Sequence, residues 1–385
     1  MIGLVVNPVA GIGGPAGLAG SDGADVQALA ASRGSSARAG ARATTALAAL
    51  PPGTPVLTAA GAMGMDAATA AGLHPRVVFT PAAPTSAADT TAAVRAVAAA
   101  GATLVLFAGG DGTARDVVAG LADEAGVAAL GIPAGVKMYS PVFAVSPRAA
   151  GGLARAWLDG SLPTQLREVL DVDEAALRRA RVEPRLYGEL LVPYRAGRTQ
   201  ARKSPTPVSE QAAVAAAARG AASTLRPGVR YLLGPGGTMA ELARALGVEK
   251  TPLGVDVVLD GHIVRHAASE TELLDEISRG PAQAVVSVIG GQGFVLGRGN
   301  QQLSARVMRA LGDGPDGRGP LVVVAPESKL VELHGRPLLV DTGDPATDAA
   351  LAGFVRVVTG HAASSLYPVH APEPSLEPTE EPHAS

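Results

Sequence analysis

The stretch LFAGGDGTARD (residues 106–116) decides the fold of this chain. An apolar run ends at two glycines, a lone Asp111 follows, and a third glycine and Thr113 come before a segment with helical character. A buried strand that turns through glycines into a helix is typical of a parallel α/β sheet. Such a turn suits phosphate, because glycines let it approach the backbone and the N–H groups that begin a helix attract it.

The same alternation of strand and helix occurs throughout the first part of the chain. The clearest helix is 86–101, which Ser86 can cap and Gly101 ends. Strands alternating with helices predict a parallel sheet covered by helices on both faces. We therefore expect a Rossmann-like α/β domain over residues 1–140, with strands predicted at 2–6, 55–61, 76–81, 103–108 and 128–134.

Composition excludes several classes of function. The 385 residues favour two domains, and the absence of cysteine excludes disulfides, zinc–thiolate sites and thiol catalysis. A net charge of −3 gives no basic surface for nucleic acid. We see no signal peptide and no apolar stretch long enough to span a membrane. These features predict a cytoplasmic protein without a nucleic-acid or membrane partner.

The remainder of the chain has shorter, strand-like segments. We expect a strand-rich second domain of layered sheets over 141–340, which serves substrate binding and oligomerisation and carries a second glycine turn, GPGGT (234–238). The basic segment 194–211 is interpreted as a solvated loop, with a phosphate-facing lid as the alternative. Segment 341–365 is expected to pack back on the first domain, and the Pro- and Glu-rich tail 366–385 is expected to be disordered.

Asp111 is the unusual member of the first glycine turn. A carboxylate beside phosphates is unfavourable unless it helps to hold Mg²⁺ or accepts the proton of an attacking hydroxyl. The alternative is a simple tight turn, in which Asp-Gly is common. Thr113 and Asp116 are expected to cap a helix over 114–126. We expect Asp111 to face a phosphate chain across a cleft between the domains. A carboxylate turned into the interior, or neighbouring glycines sealed away from any cavity, would end the interpretation as a kinase.

Several motifs resemble those of the NAD kinases. GGDGT after a buried strand is similar to their signature, whose core is shared with diacylglycerol, sphingosine and 6-phosphofructo-kinases. VVNPVAGIGG (5–14), GIPAGVK (131–137) and GPGGT agree with this superfamily. The layout down to VDTGD (340–344) most resembles the predicted ATP- or polyphosphate-dependent NAD kinases, which include acetoin-catabolism accessory proteins. The chain departs from familiar NAD kinases in lacking their Asn-Glu pair and in continuing GGTMAEL after the second turn.

The resemblance implies a kinase that phosphorylates the 2′-hydroxyl of NAD to give NADP. ATP or polyphosphate would be the donor, Mg²⁺ the cofactor, and a homo-oligomer, a dimer or tetramer, the assembly. Asp111 would be the catalytic base, and no metal-ligand set is predicted. The residues implied for phosphate or nucleotide binding are Asn7, Gly11, Gly13, Gly14, Gly109, Gly110, Gly112, Thr113 and Lys137. Those implied for substrate binding are Gly236, Gly237 and Thr238, and Asp256 is a further candidate that comes from the residues alone.

Other interpretations remain open. Asp256 lies in an apolar strand and needs a partner, which could be a substrate hydroxyl, a metal or an arginine. Asp341 and Asp344 are interpreted as a local turn network. The whole chain could instead be a kinase of the same fold acting on another small hydroxylated metabolite. A third possibility is a regulatory protein of a catabolic operon that binds a nucleotide and catalyses no reaction.

Overall fold

A computed structural model describes residues 1–171, 185–195, 199 and 211–372, apart from positions 19, 22, 125, 137 and 161. Most of the basic segment 194–211 and the tail after 372 lie outside these described residues. Within them, no helix combines the length and apolar character that crossing a membrane requires.

The first sheet has five parallel strands in the described part of the chain, in the order β3-β2-β1-β4-β5. These strands are Ile2–Val6 (β1), Pro55–Ala59 (β2), His74–Phe79 (β3), Leu104–Gly109 (β4) and Ala128–Pro133 (β5). A 3₁₀ turn covers Gly61–Met63. The helices are Ala24–Ser32 (α1), Ala39–Leu47 (α2), Met65–Ala70 (α3), Ala87–Ala99 (α4), Asp111–Gly120 (α5) and Pro147–Leu158 (α6). The predicted Rossmann-like architecture is confirmed.

The local sequence explains the burial of the central strands and the start of one helix. Every residue of β1, β4 and β5 is buried, because helices cover both faces of a doubly wound sheet. Helix α4 begins as predicted: Ser86 Oγ accepts from the Asp89 N–H, while the Asp89 carboxylate accepts from the Ser86 N–H at 2.9 Å. This capping box satisfies two N–H groups that the helix itself leaves unpaired.

Helix α5 begins earlier than the sequence predicted. It spans Asp111–Gly120 with Gly110 as its N-cap, and no side chain caps it. The prediction that Thr113 and Asp116 cap a helix over 114–126 is therefore wrong. The turn from β4 is short enough for the helix to start at once, which places Asp111 in the first helical turn.

The chain continues to contact the first sheet after residue 140. Helix α6 packs against α2, and the antiparallel pair β6 (Thr164–Asp171) and β7 (Arg185–Pro193) packs against β5 and α5. Phe143 lies edge-on to Phe107 of β4, with ring centroids 5.5 Å apart. Because of these contacts, the part of the chain that packs on the first sheet extends past residue 140, the boundary expected from the sequence.

The second sheet has eight strands in the described residues, in the order β10-β9-β8-β11-β12-β14-β15-β13. Four of them, β8, β11, β12 and β14, are mutually parallel, and the pairs β8–β9, β9–β10 and β14–β15 are antiparallel. The strands are Arg230–Leu233 (β8), Asp256–Leu259 (β9), His262–Arg265 (β10), Ala282–Ser287 (β11), Leu321–Val324 (β12), Leu338–Leu339 (β13), Gly353–Gly360 (β14) and Ala363–His370 (β15).

Helices cover both faces of this mixed sheet. Alternate strand residues point to opposite sides: Tyr231 and Leu233 pack in one buried cluster, and Leu232 between them packs in another. The helices are Gln211–Ala222 (α7), Gly237–Ala245 (α8), Glu270–Ser278 (α9), Ala305–Leu311 (α10), Glu327–Val331 (α11) and Pro345–Leu351 (α12). The second domain is strand-rich, as predicted, but helices rather than a second sheet layer bury its faces.

The C-terminal strands belong to the second sheet. β14 pairs with β12 through Val357 and Val323, and β15 pairs with β14 as far as Val369. The structure thus contradicts the expectation that 341–365 packs as a whole on the first domain, since β14 and β15 pair within the second sheet, while Asp341 at the start of the segment forms an ion pair with Arg42 of the first domain. It also contradicts disorder for 366–370, because antiparallel pairing holds that run in a strand.

Candidate functional site

The GGDGT turn lies at the carboxyl end of β4, where ligands of parallel sheets collect. The Gly109 carbonyl accepts from the N–H groups of Ala134 and Gly135 at 3.0 and 2.9 Å. Thr113 is buried, and its Oγ1 accepts from Asn7 Nδ2 at 3.0 Å, so the ends of β1 and β4 are joined. Beside Gly112 there is open space, which is where a ligand could reach this turn.

The Asp111 side chain is turned into the protein and is only 4% exposed. Its Oδ2 accepts from the Tyr139 N–H at 2.6 Å. Its Oδ1 accepts from the Ser140 N–H at 3.0 Å and from Ser140 Oγ at 2.6 Å. The expectation that Asp111 faces an open cleft is therefore wrong for this structure, because Tyr139 and Ser140 close over the carboxylate. By the criterion set from the sequence, this burial counts against phosphate transfer at Asp111 in this conformation.

This environment shifts the pKa of the Asp111 carboxyl group. Burial raises the pKa of Asp111 to about 7, while the hydrogen bonds from Ser140 and Tyr139 act in the opposite direction. Burial disfavours the charged carboxylate, and the hydrogen bonds stabilise it. A carboxyl with this pKa can gain and lose a proton near neutral pH, as a general base must.

Contacts from the second domain hold the described residues near this cover, 134–136 and 138–145. Gln292 Nε2 donates to the Met138 carbonyl at 2.9 Å, and the Gly299 N–H donates to the Val136 carbonyl at 3.0 Å. Beside Tyr139 a cavity of about 40 Å³ remains between the domains. The cover over Asp111 therefore depends on how the two domains pack.

The glycine loop after β1 packs against protein in this structure. Gly11 has a φ of +81°, and a Cβ there would meet the Ala134 carbonyl oxygen. A Cβ at Gly13 would meet the Gly20 carbonyl oxygen, and one at Gly14 would lie 3.0 Å from Gln301 Cβ. These glycines bring the loop against the junction of the two domains. Lys137, also expected near phosphate, lies outside the described residues.

The second glycine turn has a similar form in the second sheet. Gly236, with a φ of +103°, is the N-cap of α8, and there is open space beside Gly236 and Gly237. Thr238 is buried, and its Oγ1 accepts from Lys329 Nζ at 3.1 Å. Among the described residues, no hydrogen bond or ion pair joins this turn to the GGDGT turn.

Asp256 is buried and its partners are protein groups. Its carboxylate accepts from Thr251 N–H and Oγ1, both at 2.6 Å, and from the Ala267 N–H at 2.7 Å. It is 0% exposed. Leu253, between Thr251 and Asp256 in the chain, packs against Tyr139, the residue whose N–H donates to Asp111. Thr251 itself lines an open cavity of about 570 Å³ on the outer side of β9, next to Lys250, whose pKa burial lowers to about 8.

The sequence interpretation missed a buried ionic cluster between the domains. Asp341 accepts from Arg42 Nη2 of α2 at 2.6 Å and from Arg298 Nη1 at 2.8 Å. Asp341 is therefore more than part of a local turn, whereas Asp344 does act locally as the N-cap of α12. The stretch GFVLGRGNQQ (293–302) could have indicated this cluster, because in it an arginine between glycines precedes three amides. In the structure Arg298, Asn300 and Gln302 are all buried.

A resident metal site is not evident in the described residues, which contain no group of three or more histidine or acidic side chains placed to hold an ion. Both oxygens of Asp111 are already engaged by Tyr139 and Ser140. The donor set of this conformation therefore does not fit a protein-held Mg²⁺.

The two sheets define an α/β protein in which glycine turns follow parallel strands, the class that binds ligands at the carboxyl ends of those strands. The model of the ATP-NAD kinase N-terminal domain matches residues 2–162, and that of the ATP-NAD kinase C-terminal domain matches residues 226–369. The chain belongs to the ATP-NAD kinase family. No curated protein and no solved structure matches it. The protein is an NAD kinase-like phosphotransferase.

Proposed function

We propose that the protein transfers the terminal phosphoryl group of ATP or polyphosphate to the 2′-hydroxyl of NAD, giving NADP in the cytoplasm. The proposal is carried by the match to both ATP-NAD kinase domains and by the place of Asp111 in the first of them. Asp111 begins a helix at the carboxyl end of β4 and has a pKa of about 7. Because its carboxylate is covered in this structure, the proposal requires a second conformation in which Tyr139 and Ser140 no longer cover it. A base with a pKa near the working pH is most effective at taking a hydroxyl proton.

Ser140 indicates how an acceptor could bind. Its hydroxyl donates to Asp111 at 2.6 Å, which is the contact that an acceptor hydroxyl needs. When the segment over Asp111 moves away, the 2′-hydroxyl would replace Ser140 Oγ. Asp111 would take the hydroxyl proton as the oxygen attacks the terminal phosphorus, and the bond from that phosphorus to the leaving ADP or shortened polyphosphate would break.

The phosphate donor is proposed to bind at the open side of the GGDGT turn, near Gly110, Gly112 and Thr113. The glycine loop with Asn7 and Gly11 through Gly14, together with Lys137, is proposed to complete this site, and Gly236, Gly237 and Thr238 to contact the dinucleotide. Mg²⁺ on the donor phosphates would neutralise charge, and we assign it no protein ligands. A dimer or tetramer is proposed from the family alone.

The test is NADP formation by the purified protein with NAD, Mg²⁺ and either ATP or polyphosphate. Asp111→Asn should lower kcat by about 10²-fold or more and leave ATP binding within a few-fold of wild type, because removal of a general base affects the chemical step. Hydrogen exchange at the Tyr139 and Ser140 amides should speed up when both substrates bind. Nucleotide binding without phosphate transfer to any ribosyl acceptor would identify a regulator instead.

A kinase of another hydroxylated metabolite is the second candidate. It is supported by Asp256, which is 0% exposed and accepts hydrogen bonds from Thr251 and Ala267, so in this structure its carboxylate is not presented to a dinucleotide. ATP consumption with a panel of acceptors separates the two. Turnover with sugars or polyols but not with NAD would select the second candidate.

A further inference from the structure

The Ser140 hydroxyl has three hydrogen-bonding neighbours. Its Oγ accepts from the Leu170 N–H at 2.9 Å, and it lies 2.8 Å from the Leu170 carbonyl oxygen and 2.6 Å from Asp111 Oδ1. Leu170 belongs to β6, and Ser140 and Leu170 are both buried. One hydroxyl therefore joins the strand, the segment over the site and the proposed base.

This hydroxyl has one proton for two neighbouring oxygens. A serine hydroxyl can donate one hydrogen bond and accept two. When Asp111 is charged, Ser140 donates to its carboxylate, because a hydrogen bond to a charged acceptor is the stronger one. The Leu170 carbonyl then receives no proton from Ser140, and a buried carbonyl without a donor is unfavourable.

A proton on Asp111 satisfies both oxygens. The neutral carboxyl can donate from Oδ1 to Ser140 Oγ, and Ser140 can then donate to the Leu170 carbonyl. The N–H groups of Tyr139 and Ser140 can still donate to the remaining lone pairs of the carboxyl, at 2.6 and 3.0 Å. The neutral form of Asp111 therefore completes a chain of hydrogen bonds that the charged form leaves incomplete.

Few charged groups act on Asp111 from the neighbouring strands. β4 and β5 contain no ionisable side chain. On β6, Asp171 raises the pKa of Asp111, and it is itself paired at 3.4 Å with Arg115 of α5, which also lies 3.9 Å from Asp116. On β7, Arg185 lies opposite Asp171 in the strand pair. Within the described residues, these strands and α5 place no cation in an ion pair with Asp111.

The groups on the other side of Asp111 keep their charge near neutral pH. Burial raises the pKa of Tyr139 to about 12, so its phenol stays neutral. Arg298 of the second domain lines the cavity beside Tyr139 and is paired with Asp341 at 2.8 Å. Among these groups, Asp111 is therefore the one that gains or loses a proton near neutral pH, since its pKa is raised to about 7.

We propose that Ser140 is a positioning residue that makes the cover over Asp111 depend on the proton of that carboxyl group. With the proton present, the chain from Asp111 through Ser140 to the Leu170 carbonyl ties residues 139–140 to β6. When the proton leaves to solvent, Ser140 donates to the carboxylate instead, and the cover loses its bond to the Leu170 carbonyl. The charged form, which can act as a base, is thus the form whose cover opens more easily. The chain includes no substrate, so this proposal stands or falls separately from phosphate transfer.

The test follows the Leu170 carbonyl by NMR in the wild-type protein without substrates. Leucine labelled with ¹³C at the carbonyl and aspartate labelled with ¹⁵N select the four Leu-Asp peptide groups of the chain, of which Leu170-Asp171 is one. We expect its carbonyl signal to move to lower frequency with a midpoint near pH 7, as a carbonyl does when it loses a hydrogen-bond donor. The Leu-Asp groups at 158, 259 and 274 are internal references. A Leu170 signal that does not titrate would overturn the proposal.

Three variants identify the groups responsible. Asp111→Asn and Ser140→Ala should each abolish the titration of the Leu170 carbonyl, because the first lacks the proton that leaves and the second lacks the hydroxyl that changes partner. Ser223→Ala is the matched control and should leave the titration unchanged, since the Ser223 hydroxyl donates to the Gly220 carbonyl at 2.8 Å, away from this chain. A titration that persists in Asp111→Asn or in Ser140→Ala would overturn the proposal. Wild type and Asp111→Asn decide the test even if Ser140→Ala folds poorly.

Hydrogen exchange measures the opening of the cover itself. After correction for the intrinsic pH dependence of exchange, opening at the Tyr139 and Ser140 amides should increase in wild type by up to about tenfold per pH unit above the pKa of Asp111. In Asp111→Asn, opening should not depend on pH. Opening that becomes less frequent in wild type as pH rises would show that the charged carboxylate holds the cover more tightly, and would overturn the proposal.

Discussion

At the residue scale, the proposed reaction depends on Asp111, whose carboxylate is covered in this structure. Three donors from residues 139 and 140 hold its carboxylate, so the group is both buried and fully hydrogen-bonded. Burial dominates the balance and leaves a pKa of about 7. In the proposed reaction, substrate would have to displace this cover before Asp111 could take a proton.

The raised pKa of Asp111 should make the free energy of unfolding depend on pH. The pKa of Asp111 is raised from 3.8 to about 7 in the folded state, so the folded protein keeps its proton over a pH range in which the unfolded chain has lost it. The stabilising contribution is complete below the unfolded pKa and is lost as pH rises to about 7. Relative to Asp111→Asn, wild type should therefore lose roughly 1–4 kcal/mol of unfolding free energy between pH 4 and 7.

Urea unfolding of both proteins at several pH values measures this difference. Asp66→Asn on the short helix α3 is the control, because Asp66 lies in a first helical turn and is not buried. Parallel pH profiles of wild type and Asp111→Asn would contradict the raised pKa.

At the element scale, the start of α5 shows how the glycines of one turn differ in role. A Cβ at Gly109 would collide with Thr113, whereas a Cβ at Gly112 would meet open space. Gly112 also lies within the helix, where alanine is preferred to glycine. Packing within the protein therefore requires glycine at 109 but does not require it at 112.

Gly112→Ala should separate folding from ligand binding. We expect it to stabilise the protein by about 0.5–1 kcal/mol, because alanine loses less backbone entropy than glycine in a helix. We also expect it to weaken ATP binding, because the new methyl group would occupy the space through which phosphate approaches the turn. Thermal unfolding and a nucleotide titration measure the two effects.

Gly109→Ala is the matched comparison, since it should destabilise the fold through the collision with Thr113. A Gly112→Ala variant that binds ATP as wild type does would show that phosphate does not approach this side of the helix.

At the scale of the whole molecule, the domains are joined by charge as well as by apolar packing. The Asp341 carboxylate of the second domain forms an ion pair with Arg42 of the first domain. Arg298 of the second domain donates a hydrogen bond to the Val145 carbonyl at 3.1 Å. The two arginines hold the pKa of Asp341 well below its usual range, although burial acts in the opposite direction. The carboxylate therefore stays charged, and its stabilising contribution is lost only as pH falls through the acidic range.

Asp341→Asn should destabilise the protein by about 3–5 kcal/mol, because it leaves two buried guanidinium groups without their counter-charge. Asp344→Asn is the control: Asp344 is more exposed, and asparagine is as good an N-cap as aspartate, so we expect a change below about 1 kcal/mol. Chemical denaturation measures both. Equal effects of the two substitutions would show that the buried cluster does not hold the domains together.

The first sheet, the capping box of α4, the strand-rich second domain and the resemblance to kinases could all be predicted from the sequence. These features depend on short-range patterns, namely apolar runs, glycine turns and a cap three residues from its partner. The folded chain was needed to show that Tyr139 and Ser140 cover Asp111 and that Asp341 joins the domains. Those features depend on residues far apart in the chain, and no local pattern states which distant charge or backbone group will lie beside another.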